Sequence, residues 1–346
     1  MFINLTKIQN ADEIMMTKIE IIDRRPTLSE FAAGLYRDYG PAKPMGEAAF
    51  SSDRPHFFLL RNFSGEIDLL AILNTERCAY QCHFCQLPEK SLRTLIPADL
   101  IIEQFAYVLN QQKHALGVIE RVTLSNEGSV LDEGTFPETA LEVIAEAIGQ
   151  LRRVKTLVLE TRMEYVKKDK LLRLREYNPR ATINILTGFE TSNEDIRDRI
   201  LGKREPLSVF KTGLDEVAAA GASLTAYILY KPSFEMTDEE ALHDAVQSFL
   251  YLQGECRRRQ IPWSVRINPM YVAEGSKWAE QARTNFFQPP QLSHVLEFAR
   301  WVREQGISAY IGLSMEGLES EGGDYRSRED FSHELLKEAI IFNRGL

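Results

Sequence analysis

The chain has 346 residues, 44% of them hydrophobic and 26% charged, with a formal charge of −9 at pH 7. Those proportions suit a globular protein long enough for one large α/β unit with appendages, or for two domains. No apolar run approaches the ~20 residues that span a bilayer, so no membrane contact is expected, and the acidic balance gives no global attraction to nucleic acid.

Residues 1–57 read as a mostly helical leader with a Pro/Gly-rich connection from Gly40 to Gly46. A regular alternation follows. Runs rich in Val, Ile and Leu at 67–74, 119–125, 154–161, 181–188, 222–230 and 263–269 predict strands. Between them, amphipathic stretches near 98–115, 137–151, 163–176, 207–220 and 237–259 predict helices; Leu141, Ile144, Ile148 and Leu151 show the spacing. Pro97 and Pro137 stand where a first helical turn tolerates proline, and Gly221 stands in a C-cap region. Such alternation predicts a parallel sheet with right-handed crossovers, and six units suit an open partial barrel better than a closed eight-stranded one. A helix near 290–305 and a seventh strand at 307–313 form a small C-terminal α/β extension. The expected division is 1–57 leader, 58–275 barrel and 276–346 extension. Basic groups at Lys167, Lys168, Lys170, Arg173 and Arg175, and at Arg257 to Arg259, read as solvated helix faces near C-terminal ends.

The first predicted strand leads into Cys78-Ala79-Tyr80-Gln81-Cys82-His83-Phe84-Cys85. Three thiolates within eight residues can hold three irons of a [4Fe–4S] cube and leave the fourth iron without a protein ligand. That open iron can chelate the amino and carboxylate groups of S-adenosylmethionine (SAM). Ferredoxin-type C-x2-C runs differ, because further cysteines complete their clusters. The alternatives are a zinc site using His83 or a distant histidine, and a disulfide with a spare thiol. Structural zinc normally pairs two knuckles, and four cysteines without a signal peptide point to a reducing, cytoplasmic setting. Cys256 stands apart and reads as a small core residue.

A loop after the first parallel strand lies at the C-terminal face of the sheet, where sites of parallel barrels gather. The other strand ends on that face supply candidate cofactor-binding residues. After the second strand stand Asn126, Glu127 and Gly128, a carboxylate among small residues that suits an ammonium group; a polar turn without a ligand is the alternative. Glu160 and Glu190 could hold ribose hydroxyls, and Arg162 a carboxylate, against an internal Glu160–Arg162 ion pair. Lys231, ending a buried strand, requires a carboxylate partner from SAM, substrate or Glu190. Arg266 and Asn268 alternate to one face and suit either recognition or core hydrogen bonding. Glu316, Glu319, Glu321 and Asp324 mark an acidic loop that could cover the mouth. No residue is singled out as catalytic.

The cysteine spacing, with Phe84 before the third cysteine, resembles the radical SAM superfamily. The stretches 126–132, 159–166, 188–193, 227–232 and 266–269 resemble the branch containing the radical SAM subunit of archaeosine synthase. The resemblance covers roughly residues 60 to 305. It implies a (β/α)6 partial TIM barrel, one [4Fe–4S] cluster held by Cys78, Cys82 and Cys85, SAM, and a reductant such as flavodoxin or ferredoxin. Asn126-Glu127-Gly128 departs from the Gly-Gly-Glu-like pattern that binds the methionine amine in such proteins. The expected activity is reductive cleavage of SAM to a 5′-deoxyadenosyl radical that takes hydrogen from a small amino-acid- or nucleoside-like substrate. A tRNA deazaguanine substrate with C–N cleavage is the alternative, not favoured by the acidic charge; a non-catalytic iron–sulfur module is a third reading.

Overall fold

Strand–helix alternation produces one eight-stranded sheet whose strands lie side by side in chain order. The computed structural model describes residues 53–85, 91–126, 128–272, 276–279, 288–313 and 333–345. The strands are β1 (Phe57–Phe63), β2 (Glu66–Leu73), β3 (Arg121–Asn126), β4 (Thr156–Glu160), β5 (Thr182–Glu190), β6 (Ser223–Tyr230), β7 (Trp263–Pro269) and β8 (Ser308–Ile311). From β2 onward every neighbour pair is parallel. The helices are α1 (Ala98–Gln111), α2 (Glu138–Gly149), α3 (Lys168–Tyr177), α4 (Leu207–Ala219), α5 (Asp238–Arg259), α6 (Leu292–Glu304) and α7 (His333–Asn343). The sheet curls into a half-barrel, the expected partial barrel. The expected leader falls almost wholly outside the described residues, as do Glu127 and the acidic loop around Glu316, Glu319, Glu321 and Asp324.

Period-two alternation divides each strand between two environments. One face presents Leu69, Leu124, Leu159, Ile185, Ala226 and Ile267 to the main apolar core, which also takes the inner faces of the helices. Burying each large aliphatic or aromatic side chain there contributes roughly 1.5–3 kcal/mol. The other face is richly polar. Asp68 accepts from Thr123 Oγ1 at 2.9 Å and from Arg61 Nε at 2.9 Å, and Thr225 Oγ1 donates to Asn184 at 2.9 Å. Toward the strands' C-terminal ends this face carries Ser125, Glu160, Tyr227 and Arg266.

Three details differ from the sequence reading. β1, unanticipated, pairs antiparallel with β2 through a turn at Ser64 and Gly65, both at positive φ (50° and 92°). This hairpin covers what would be an open sheet edge. β8 is the expected seventh strand, and it continues the barrel sheet beside β7. The helix expected from residue 163 begins at Lys168, because Met163–Tyr165 forms a separate 3-10 turn. Lys167 and Lys168 therefore stand at a helix N-terminus, the wrong end of the dipole for a cation. The rest of that basic face is paired: Lys170 meets Glu133 at 2.7 Å and Arg173 meets Glu138 at 2.9 Å. Cys256 is fully buried on α5, and burial pushes its thiol up to about 12.

Candidate active site

The cysteine loop leaves β2 through Asn74, whose backbone N–H donates to Gln104 Oε1 of α1 at 2.8 Å, while Gln104 Nε2 returns a bond to its carbonyl. The loop is then tied down on two sides. His83 N–H donates to the Leu201 carbonyl at 2.8 Å, its Nδ1 lies 2.9 Å from the Ile200 carbonyl, and Trp278 N–H donates to the His83 carbonyl at 3.1 Å. Phe84 packs against Trp278 with ring centroids 5.8 Å apart. The other edge of the imidazole lies over Gly202, where a Cβ would stand 2.7 Å from Nε2. His83 thus serves as a brace for the loop, which argues against it as a zinc ligand. Gly202 also has φ +60°, so Gly202→Ala combines left-handed strain with a clash. That substitution is expected to destabilise the fold by more than ~1 kcal/mol, read as a fall in midpoint on thermal melting.

Cys78, Cys82 and Cys85 are half-buried, and none of them is in a disulfide. Gly128 brings the loop after β3 against Cys78, with a virtual Cβ 3.4 Å from the cysteine's Cα. Burial raises the Cys78 and Cys82 thiols, opposed by Arg162 at both and by Lys203 at Cys82. Three soft donors on one loop, with cations beside them, fit an iron–sulfur group.

The structure brings the other predicted residues to this end of the sheet in differing roles. Asn126 bridges the Thr75 side chain and the Gly128 backbone: its Nδ2 donates to Thr75 Oγ1 at 3.0 Å, and its Oδ1 accepts from Gly128 N–H at 3.1 Å. Glu160 accepts from Tyr227 OH at 2.9 Å and from Ser125 Oγ. Arg162 turns instead to Glu164 at 3.0 Å, donates to the Lys203 carbonyl at 3.0 Å, and stacks its guanidinium 3.7 Å from the centre of the Tyr80 ring. It therefore clamps the middle of the cysteine loop. Glu190 follows a register shift at the end of β5 and sits at φ 68°, a bulge that re-aims its side chain. Lys231 sits at φ 67°, and its carboxylate partner is Asp238, at 3.2 Å, on the first turn of α5. Non-glycine residues in the left-handed region are uncommon, and such strain gathers at functional sites.

Sequence reasoning missed a buried charge network beneath these residues. Glu205 pairs with Arg197 at 3.0 Å and Lys203 at 3.6 Å, and accepts Met163 N–H at 3.0 Å. Burial acts to raise the Glu205 carboxyl, but Lys203, Arg162 and Arg197 together hold it below its usual range. Glu190 goes the other way: burial raises it, and Lys203 and Arg197 only offset part of that. Arg266 lies over the Tyr227 ring at 5.2 Å, extending the polar inner wall across β7.

A half-barrel of parallel strands carries this three-cysteine loop at its C-terminal mouth, the end where such sheets gather their active sites. Residues 72–245 match the family model described as Radical SAM superfamily, and the chain belongs to that family. It is an enzyme of the radical SAM class. An uncharacterized protein of Methanocaldococcus jannaschii is 27% identical over 82% of this chain and 77% of its own length. The archaeosine synthase subunit beta of Thermococcus kodakarensis is 23% identical over 75% of this chain and 78% of its own length. The solved structure of Streptococcus suis SuiB bound to S-adenosylmethionine aligns at 14% identity and a TM-score of 0.49, over 73% of this chain and 52% of that one. The chain thus spans about half the length of that solved protein. Among the described residues, no helix is long and apolar enough to cross a membrane.

Proposed function

We propose that Cys78, Cys82 and Cys85 hold a [4Fe–4S] cluster and that the chain uses SAM to take a hydrogen atom from a small polar substrate of amino-acid or nucleoside type. Bound at this loop, the cluster would supply the electron, received from a flavodoxin or ferredoxin, that splits SAM into methionine and a 5′-deoxyadenosyl radical. The protein's share is positioning. On this reading Phe84 on the loop, Glu190 at the end of β5 and Lys231 after β6 contact SAM or substrate, while Asn126 and Arg162 hold the adjoining segments. The observation that supports a small substrate is the polar inner wall, where Ser125, Glu160, Tyr227 and Arg266 from four strands converge at one level. Polar groups converging on the barrel's inner face suit a ligand that fits within it.

Anaerobic reconstitution followed by dithionite and SAM is expected to yield methionine and 5′-deoxyadenosine. About two or fewer irons per chain with no SAM cleavage would sink the reading. Mass spectrometry of products from candidate small molecules then identifies the substrate.

A second reading, action on a deazaguanine in tRNA, is favoured by the relative named archaeosine synthase subunit beta. The charge of −9 weighs against it, since tRNA binding draws on Lys and Arg contacts to phosphates. Filter retention of tRNA across a salt series separates the two. Micromolar binding that falls steeply with salt favours tRNA, and no retention at low salt favours the small molecule.

A further inference from the structure

A separate cleft of about 740 Å³ opens between the β5–α4 connection and the first turns of α5. Its lining includes none of the three cysteines, nor Glu190 or Lys231. Ile196, Ile200 and Met236 give it an apolar wall, and exposed Glu235, Glu239 and Glu240 stand on its rim. Four carboxylates and no Lys or Arg occur among the described lining residues.

The fourth carboxylate is Asp244, only 7% exposed. Its Oδ1 accepts from Thr191 Oγ1 at 2.8 Å, whereas Oδ2 has no hydrogen-bond partner among the described residues. A buried carboxylate oxygen left without a donor is costly. The Thr191 bond accounts for one oxygen of this carboxylate and leaves the other unaccounted for. The arrangement is what a cation with an apolar stem requires: a buried counter-charge, an aliphatic wall, and a rim of three carboxylates with one histidine, His243, and no Lys or Arg among the described lining residues.

We propose that this cleft is a second ligand site that takes a primary organic ammonium on an aliphatic stem, with Asp244 as its counter-ion. Burial pushes the Asp244 carboxyl up to about 6, which still leaves it mostly ionised at neutral pH. The site stands apart from the substrate reading above and does not depend on it.

Isothermal titration of the full chain with n-pentylamine near neutral pH tests it, with pentanol and hexanoate as the neutral and anionic counterparts. Saturable binding of the amine alone is expected, weakened about tenfold or more in Asp244→Asn, which keeps the shape but removes the charge. Glu239→Gln, on the exposed rim, is expected to weaken it by a smaller factor, so the result does not rest on one variant's folding. No saturation with pentylamine, equal binding of pentanol, or equal affinity in Asp244→Asn would each overturn the proposal. Loss of SAM binding together with amine binding in Asp244→Asn would assign the cleft to the cofactor site and overturn it as well.

Discussion

Alanine at Cys78, Cys82 or Cys85 is expected to abolish iron loading, visible iron–sulfur absorption and SAM cleavage together, while Cys256→Ala keeps all three. The asymmetry follows from position. The first three thiols share one loop at the open end of the sheet, held there by Asn74, His83 and the Arg162–Tyr80 stack. Cys256 is buried on α5 with a thiol pushed up to about 12, so it supplies neither a thiolate nor access. A cube with one open iron has no spare protein ligand, so each loop substitution is expected to be as damaging as the next. The Cys256 change removes only a small apolar group and is expected to cost ~1 kcal/mol of stability. Iron and sulfide analysis of the four reconstituted variants checks the set. A loop variant that retained four irons, or a Cys256 variant that lost them, would show the ligands to be misassigned.

Local spacing explains which parts were legible before the structure. Parallel strands buried beneath helices are dense in Val, Ile and Leu, and helices between them repeat their apolar residues at 3.6, so β2 to β8 stood out. The (β/α)6 core and the placing of the cysteine loop followed from that order. β1 escaped because Phe57 to Phe63 adjoins the stretch that reads as a helical leader, although Ser64-Gly65 carries a hairpin's turn chemistry. The strand-end residues were legible as positions but not as partnerships. Lys231 needed a carboxylate, and the one it meets, Asp238, belongs to the capped first turn of the next helix. The alternative Glu160–Arg162 pair is absent among the described residues: Glu160 meets Ser125 and Tyr227 on the barrel's inner wall, because the chain turns after Glu160 and carries Arg162 toward the cysteine loop. The Arg197, Lys203 and Glu205 network lay in a connection, where burial of charge has no periodic signature; Gly202 beside three charged residues was its only trace.

That network carries the largest expected effect on stability. Glu205→Gln keeps the side chain's shape and an acceptor for Met163 N–H, yet removes the charge facing Arg197 and Lys203. Two buried cations would then share Glu190, whose own carboxyl is pushed up by burial. Breaking a buried pair by removing one partner costs about 3–5 kcal/mol, so a clear fall in chemical-denaturation midpoint is expected at neutral pH. The cysteine loop should loosen with it, because Arg162 reaches Tyr80 from the same cluster and donates to the Lys203 carbonyl. The pH dependence separates a charge effect from a packing effect. Glu205 titrates in the fold below its ordinary value of 4.5, so its ion pairing stabilises fully above that value. That contribution is lost as pH falls through the depressed folded value. The raised carboxyl of Glu190 has the opposite sign, and the Glu205 charge is one of the causes that raise it, so the comparison is made with Glu190→Gln in both proteins. The stability gap between the parent and Glu205→Gln is therefore expected to be wide at neutral pH and to close as pH falls below 4.5. A gap that stayed constant across that range would mean that Glu205 acts through shape and hydrogen bonding alone, with no net contribution from its charge.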